Sequence, residues 1–190
     1  MPESAASVLE FWFGEEPAAQ ARGWWFAKDP HRDRLIARRF AGLVELALAG
    51  RLSGWGTAPR ARLARILVVD QLPRNIYRGS ARAFAGDALA VSEALALIDG
   101  GEVHTLAPLQ RVFAYLPLEH AEDLALQRRS VSLFAALAAQ DATSAHFLAY
   151  ARRHHDVIQR FGRFPHRNGV LGRASSAAEQ TFLARPGSGF

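Results

Sequence analysis

Three short stretches concentrate the residue types that can do chemistry. The first is Phe161-Gly162-Arg163-Phe164-Pro165-His166-Arg167-Asn168, which sets two arginines, a histidine and an amide among aromatics and a proline. A turn that only reversed the chain would use Gly, Asn and Ser. It follows a run carrying His154, His155 and Asp156, and Arg173 comes soon after. Planar guanidinium donors fit carboxylate and phosphate oxygens, and a histidine beside them can give a proton near neutral pH. Cations at a helix C-terminus account for Arg160 and Arg163 without any ligand. They account less readily for Pro165-His166-Arg167-Asn168.

The second stretch is Asp70-Gln71-Leu72-Pro73-Arg74-Asn75-Ile76-Tyr77-Arg78-Gly79. Leu63, Ile66, Leu67 and Asp70 recur at helical spacing, so Asp70 falls on the inner edge of an apolar stripe, where an unpaired carboxylate is costly. Pro73 cannot continue a regular helix without a kink. Across that kink Arg74 looks poorly spaced for Asp70, leaving two readings: structural ion pairs, or an Arg74–Asn75 pair that grips an anion. The third stretch is Glu119-His120-Ala121-Glu122-Asp123. Read as the start of a long helix, it puts Glu119, Glu122 and Asp123 on one face, where acids complement the helix dipole. The functional reading uses His120 and Glu122 as acid and base. His154, on the apolar stripe of its own helix, is either a satisfied core histidine or part of the same site.

These residues yield a site hypothesis: His120, Glu122 and His166 move protons, while Asp70, Arg74, Asn75, His154, Arg163, Arg167 and Asn168 bind a small anionic ligand. The alternative is a protein- or peptide-binding scaffold in which they form structural ion pairs. A homo-oligomer is a third possibility, marked by an apolar patch on an outer helix. Whether the chain is an enzyme stays open at this stage. No Glu-x-x-His of the di-iron type occurs, and no metal or cofactor is assigned. Phosphate-loop, dinucleotide-binding and serine-hydrolase signatures are also absent.

The rest of the chain must position these stretches. With 190 residues it has the length of one domain. Ala and Leu dominate, strict alternation is absent, and capping signals recur. The expected fold is all-α, with roughly eight to ten helices joined mostly by short loops. Ser4 opens a first, buried helix ending at Gly14. Pro17 opens a second, running through Ala18-Ala19-Gln20-Ala21 towards Trp24-Trp25-Phe26. Asp29-Pro30 starts a third that ends at Gly50. Thr57 and Asp87 are read as caps of later helices. Pro117 is expected to break a helix, with a long one running from about Leu118 to Gln140. Thr143 caps the next, Ser176-x-x-Glu179 forms a capping box, and residues 186–190 form a loose tail.

The net charge is +5, but the arginines are spread along the chain rather than clustered, so nucleic acid is not an expected partner. Abundant Arg and Ala with the single lysine, Lys28, fit a GC-rich coding bias. The absence of cysteine excludes disulfides and thiol chemistry. No apolar run is long enough to cross a membrane, and Met1-Pro2-Glu3-Ser4 has no leader pattern; the cytoplasm is the expected location.

Taken together, Val8-Leu9-Glu10-Phe11-Trp12-Phe13-Gly14, Trp25-Phe26, Asp70 to Asn75, Tyr115 to Asp123 and Arg160 to Asn168 resemble the bacterial family called domain of unknown function 924. The resemblance spans nearly the whole chain, with the motifs in the family's order. It implies a TPR-like, all-helical array of antiparallel helix pairs, and it carries no established activity. Ala121 stands where the family pattern has serine, and its small size points to a packing role there.

Overall fold

The computed structural model describes residues 3–14 and 20–188. The regular elements among the described residues are all helices, with no strand among them. Helix α1 (Ala5–Phe13) is capped by Ser4, whose side chain accepts from the Ser7 N–H. It ends at Gly14, where φ is +83°. Helix α2 (Pro30–Leu48) has Asp29 as its cap and Pro30 in its first turn. Both starts follow from the sequence, because a short side-chain acceptor satisfies N–H groups that have no helical partner.

The expected second helix does not form in its described part. Pro17 lies outside the described residues, and residues 20–26 are bend, coil and turn. Trp24, Trp25 and Phe26 are held by aromatic packing instead. Trp25 Nε1 donates to Trp12 O at 3.0 Å, and Trp12, Phe13 and Trp25 all pack edge-on against Phe113. Aromatic packing supports a turn whose own backbone bonds are two single-turn contacts, Trp25 N–H to Arg22 O and Ala27 N–H to Trp24 O.

The centre of the molecule is one continuous helical rod. Helix α3 (Pro59–Ile66) runs into a π-turn (Leu67–Gln71) and on into α4 (Leu72–Ile76). Its N-cap is Ala58 rather than the expected Thr57, whose carbonyl accepts from Arg62 instead. All five residues of the π-turn are buried. Its existence follows from Pro73, which lacks an N–H and whose ring crowds the preceding turn. The chain widens by one residue there, and Leu72 N–H reaches back to Leu67 O. Such π-bulges recur at functional sites. Helices α1 and α2 pack on one side of the rod, and α5 (Asp87–Asp99) and α6 (Pro108–His120) on another.

Helix α6 is the second central element, buried continuously from Val112 to Glu119. Pro117 does not break it. Its missing N–H costs one hydrogen bond near the last turn, and the helix continues to His120. The break comes at Ala121, which turns extended, and Asp123 caps α7 (Leu124–Gln140) by accepting from Ala125 and Leu126 N–H. The expected helix from Leu118 to Gln140 is thus two helices, and Glu119, Glu122 and Asp123 share no helix face. Helix α8 (Ala145–Phe161) follows after a short turn capped by Asp141 rather than Thr143. A connection this short between two long, closely packed helices makes α7 and α8 an antiparallel pair. Helix α8 closes at Gly162, left-handed with φ +70°, and α9 (Ala177–Leu183) starts on the expected Ser176/Glu179 capping box. At the end of the described chain, Arg153 donates to Gly187 O at 3.0 Å; residues 189–190 lie outside it. No helix among the described residues is long and apolar enough to cross a membrane.

Candidate functional site

The π-turn of the rod, the end of α6, the start of α5 and the loop after α8 meet in one polar cluster. Asp70, on the π-turn, is fully buried. Its Oδ1 lies 2.8 Å from His120 Nδ1 and 3.2 Å from Arg74 Nη1; its Oδ2 accepts from the Gln71 side-chain amide. Arg74, far from being badly spaced, meets Asp70 at i, i+4 because the rod stays helical through Pro73. It also reaches Asp87 Oδ1 at 2.9 Å. Arg167 Nη1 donates to Asp87 Oδ2 at 3.1 Å and its Nη2 to His120 O at 3.0 Å. The Arg167 guanidinium lies between the rings of Phe84 and Phe164, 4.5 and 4.6 Å from their centroids. Such stacking on both faces holds a planar cation in one orientation.

Behind His120 lies a second layer. Glu119 Oε1 is 3.0 Å from His154 Nδ1, which also lies 2.9 Å from Tyr150 O. The His120 and His154 rings are 6.2 Å apart. On the other flank, Glu122 accepts from the Phe164 backbone N–H at 2.8 Å and pairs with Arg173 at 2.6 Å. This contact ties the α6–α7 break to the loop that carries His166 and Arg167.

Burial sorts the protonation states. It works against charge on Asp70, yet Arg74, His120 and the Gln71 amide hold its carboxyl well below the usual range. Burial pushes Glu119 up to about 8, reinforced by the charge on Asp70. It pushes His154 down to about 2, with His120 adding to the shift, and His166 down to about 4, with Arg167 adding. Glu119 and His154 therefore meet at neutral pH as a neutral hydrogen-bonded pair rather than an ion pair, since both charges would be stranded in the interior. His120 is lowered by burial and by Arg74, against the opposing pull of Asp70. As a neutral ring donating from Nδ1 to Asp70, it keeps Nε2 as its basic nitrogen. Arg167, lowered to about 10 by burial and then by Arg74, remains a cation at neutral pH.

Of the residues singled out in the sequence, Asp70, Arg74, His120, His154 and Arg167 converge, with Glu122 and His166 beside them. Three others do not belong to the cluster. Asn75, one position round the helix from Arg74, donates to Asp33 instead. Arg163, just beyond the left-handed Gly162, pairs with Glu179 at 2.6 Å. Asn168 is buried and structural, bonded to Ser175 and Arg173. Sequence reasoning missed Asp87, read only as a helix cap; it is the first residue of α5, with Gly86 as the cap. Phe84 carried no local signal at all. Glu119 reads in the sequence as a first-turn acid of a long helix; it lies buried near the end of α6, on an otherwise apolar stripe.

Among the described residues, no group of three or more His, Asp and Glu side chains is placed to hold a metal ion. Two surface hollows lie elsewhere, one beside Arg163 and Glu179 and one between α3 and α5 around Arg62, Arg65 and Glu93.

No curated protein matches the chain. A solved structure, that of the protein of unknown function ATU0120 from Agrobacterium tumefaciens, is similar to it with a TM-score of 0.83 and 37% identity, over 95% of this chain and 96% of that one. A family model described as a bacterial protein of unknown function matches residues 8–187. With that family model spanning nearly the whole chain and the solved relative 37% identical over 95% of it, the chain belongs to that bacterial family, DUF924.

Proposed function

We propose that the cluster is a small-molecule site in which His120 transfers a proton to or from an anionic ligand held near Arg74 and Arg167. The observation that carries this reading is the 2.8 Å contact between Asp70 Oδ1 and His120 Nδ1. A fully buried carboxylate that orients an imidazole through Nδ1, and so leaves Nε2 to act, is how acid–base histidines are commonly held. Asp70 acts through His120 and is a positioning residue. The Glu119–His154 pair and Gln71 support the two from behind.

The test is a thermal-shift screen of wild type and His120→Gln against phosphate, small carboxylates, nucleotides and neutral carbonyl compounds, followed by histidine nitrogen NMR of any hit. The reading expects at least one anion that stabilises wild type and moves the His120 Nε2 resonance, with both effects lost in the variant. Identical profiles for the two proteins would sink it. They would favour the TPR-like scaffold instead, a reading that rests on the antiparallel α7–α8 pair and treats the cluster as structural ion pairs.

A further inference from the structure

Asp87 differs from the other acids of the cluster. Asp70 neutralises Arg74 from the fully buried side, whereas the Asp87 side chain keeps 20% of its surface exposed. Its two oxygens divide between two arginines: Oδ1 faces Arg74 and Oδ2 faces Arg167. It also opens α5, a helix of 13 residues, whose free N–H groups favour an anion. One carboxylate spread over two guanidinium groups is the contact that a ligand's carboxylate or phosphoryl group would make.

The two arginines are held ready whatever sits between them. Arg167, with only 7% of its side chain exposed, is clamped between Phe84 and Phe164, and its Nε has no hydrogen-bond partner. Arg74 Nη2 is likewise buried without one. The backbone behind Asp87 is fixed. A Cβ added at Gly86 would lie 2.2 Å from Val69 O, on the π-turn next to Asp70. Gly86 therefore presses directly on that turn, and only the Asp87 side chain can leave, by rotating about its own χ1.

We propose that Asp87 is a resident carboxylate that holds the place of the ligand's anionic group. An acidic small molecule displaces the Asp87 side chain, takes over Arg74 and Arg167, and brings its reacting part to His120. This rests on the acid–base reading of the same site and adds the ligand's chemistry: a carboxylate or a phosphate monoester, which share the contact.

The experiment measures binding of inorganic phosphate and of acetate to wild type and to Asp87→Asn, by calorimetry and by the His120 and Arg167 resonances. Loss of the competing charge should tighten at least one anion by about tenfold or more, and Arg167→Lys in the same background should remove the gain. Tighter phosphate identifies a phosphate ester as the ligand class; equal or tighter acetate identifies a carboxylate. If an anion moves His120 in wild type but Asp87→Asn binds it no better, the displacement idea is overturned while the acid–base reading stands. If no anion moves His120 in either protein, both fall. Should Asp87→Asn fail to fold, the Asp87 carboxyl carbon resonance of wild type gives the answer: it moves on adding the anion if the side chain is displaced, and an unmoved resonance overturns the proposal.

Discussion

Asp70 and His120 stand 50 positions apart in the sequence and meet at 2.8 Å, because the widened turn forced by Pro73 points the carboxylate at the last residue of α6. Asp70→Asn should weaken this contact in two ways. The His120 ring loses the charge that favours its protonation, so its titration in NMR moves to lower pH. Arg74 loses its buried partner, and breaking such a pair costs about 3–5 kcal/mol, measurable by denaturant unfolding. An unchanged His120 titration would mean that Asp70 does not orient the ring.

Glu119 gives a stability effect with a defined sign. Its folded carboxyl is raised from 4.5 to about 8, so the native state holds a proton that the unfolded chain has released. That stabilisation is complete below pH 4.5 and is lost as pH rises towards 8, at about 1.4 kcal/mol per pH unit at most. Glu119→Gln cannot ionise. Its stability relative to wild type should increase from pH 4.5 to about 8 and level off above that, as read by urea unfolding at each pH.

His154 and His166 act in the opposite direction. Their folded values lie below 6.5, at about 2 and about 4, so the unfolded chain binds protons that the native state refuses. Their stabilisation is present above pH 6.5 and is lost as pH falls. His166→Gln should make the acid limb shallower between pH 6.5 and 4 by up to one proton, again about 1.4 kcal/mol per unit. An acid limb identical to wild type would place His166 in solvent.

Gly86 is intolerant of any side chain. With Val69 O at 2.2 Å and Val69 C and Cβ at 2.9 Å from a new Cβ, Gly86→Ala must push α5 off the π-turn. Overpacking of this kind costs about 1–3 kcal/mol, and the shift should also move the Arg167 Nε resonance through Asp87. A variant as stable as wild type would show that the two segments do not touch this closely.

Glu122 ties the α6–α7 break to the Phe164 loop through one backbone N–H and one ion pair with Arg173. Glu122→Ala leaves that N–H unpaired, a loss of about 1–3 kcal/mol, and should raise hydrogen exchange at Phe164 more than at Phe134 in the core. Equal exchange at the two sites would remove Glu122 from this role.

What the sequence by itself determined is local. Apolar spacing, Asp29-Pro30, the Ser176/Glu179 box and Gly162 set an all-α chain and most helix limits, because propensity and capping act within a turn or two. It also picked out five of the residues that form the cluster. Where it failed, the deciding forces were long-range. Trp24 to Phe26 read as the end of a helix opened by Pro17, yet packing of Trp24 on Trp12 and of Trp25 and Phe26 on Phe113 holds them as a turn. Pro117 read as a breaker, yet a helix loses only one hydrogen bond to a proline near its end. Arg74 read as poorly spaced for Asp70, yet the chain stays helical through Pro73 and the i, i+4 spacing brings the two to 3.2 Å. Tertiary structure alone decided that Asp87, 80 positions from Arg167, and Phe84 would complete the site. A side chain's partner depends on which helices pack together, and the buried area that selects that packing is spread over the whole chain.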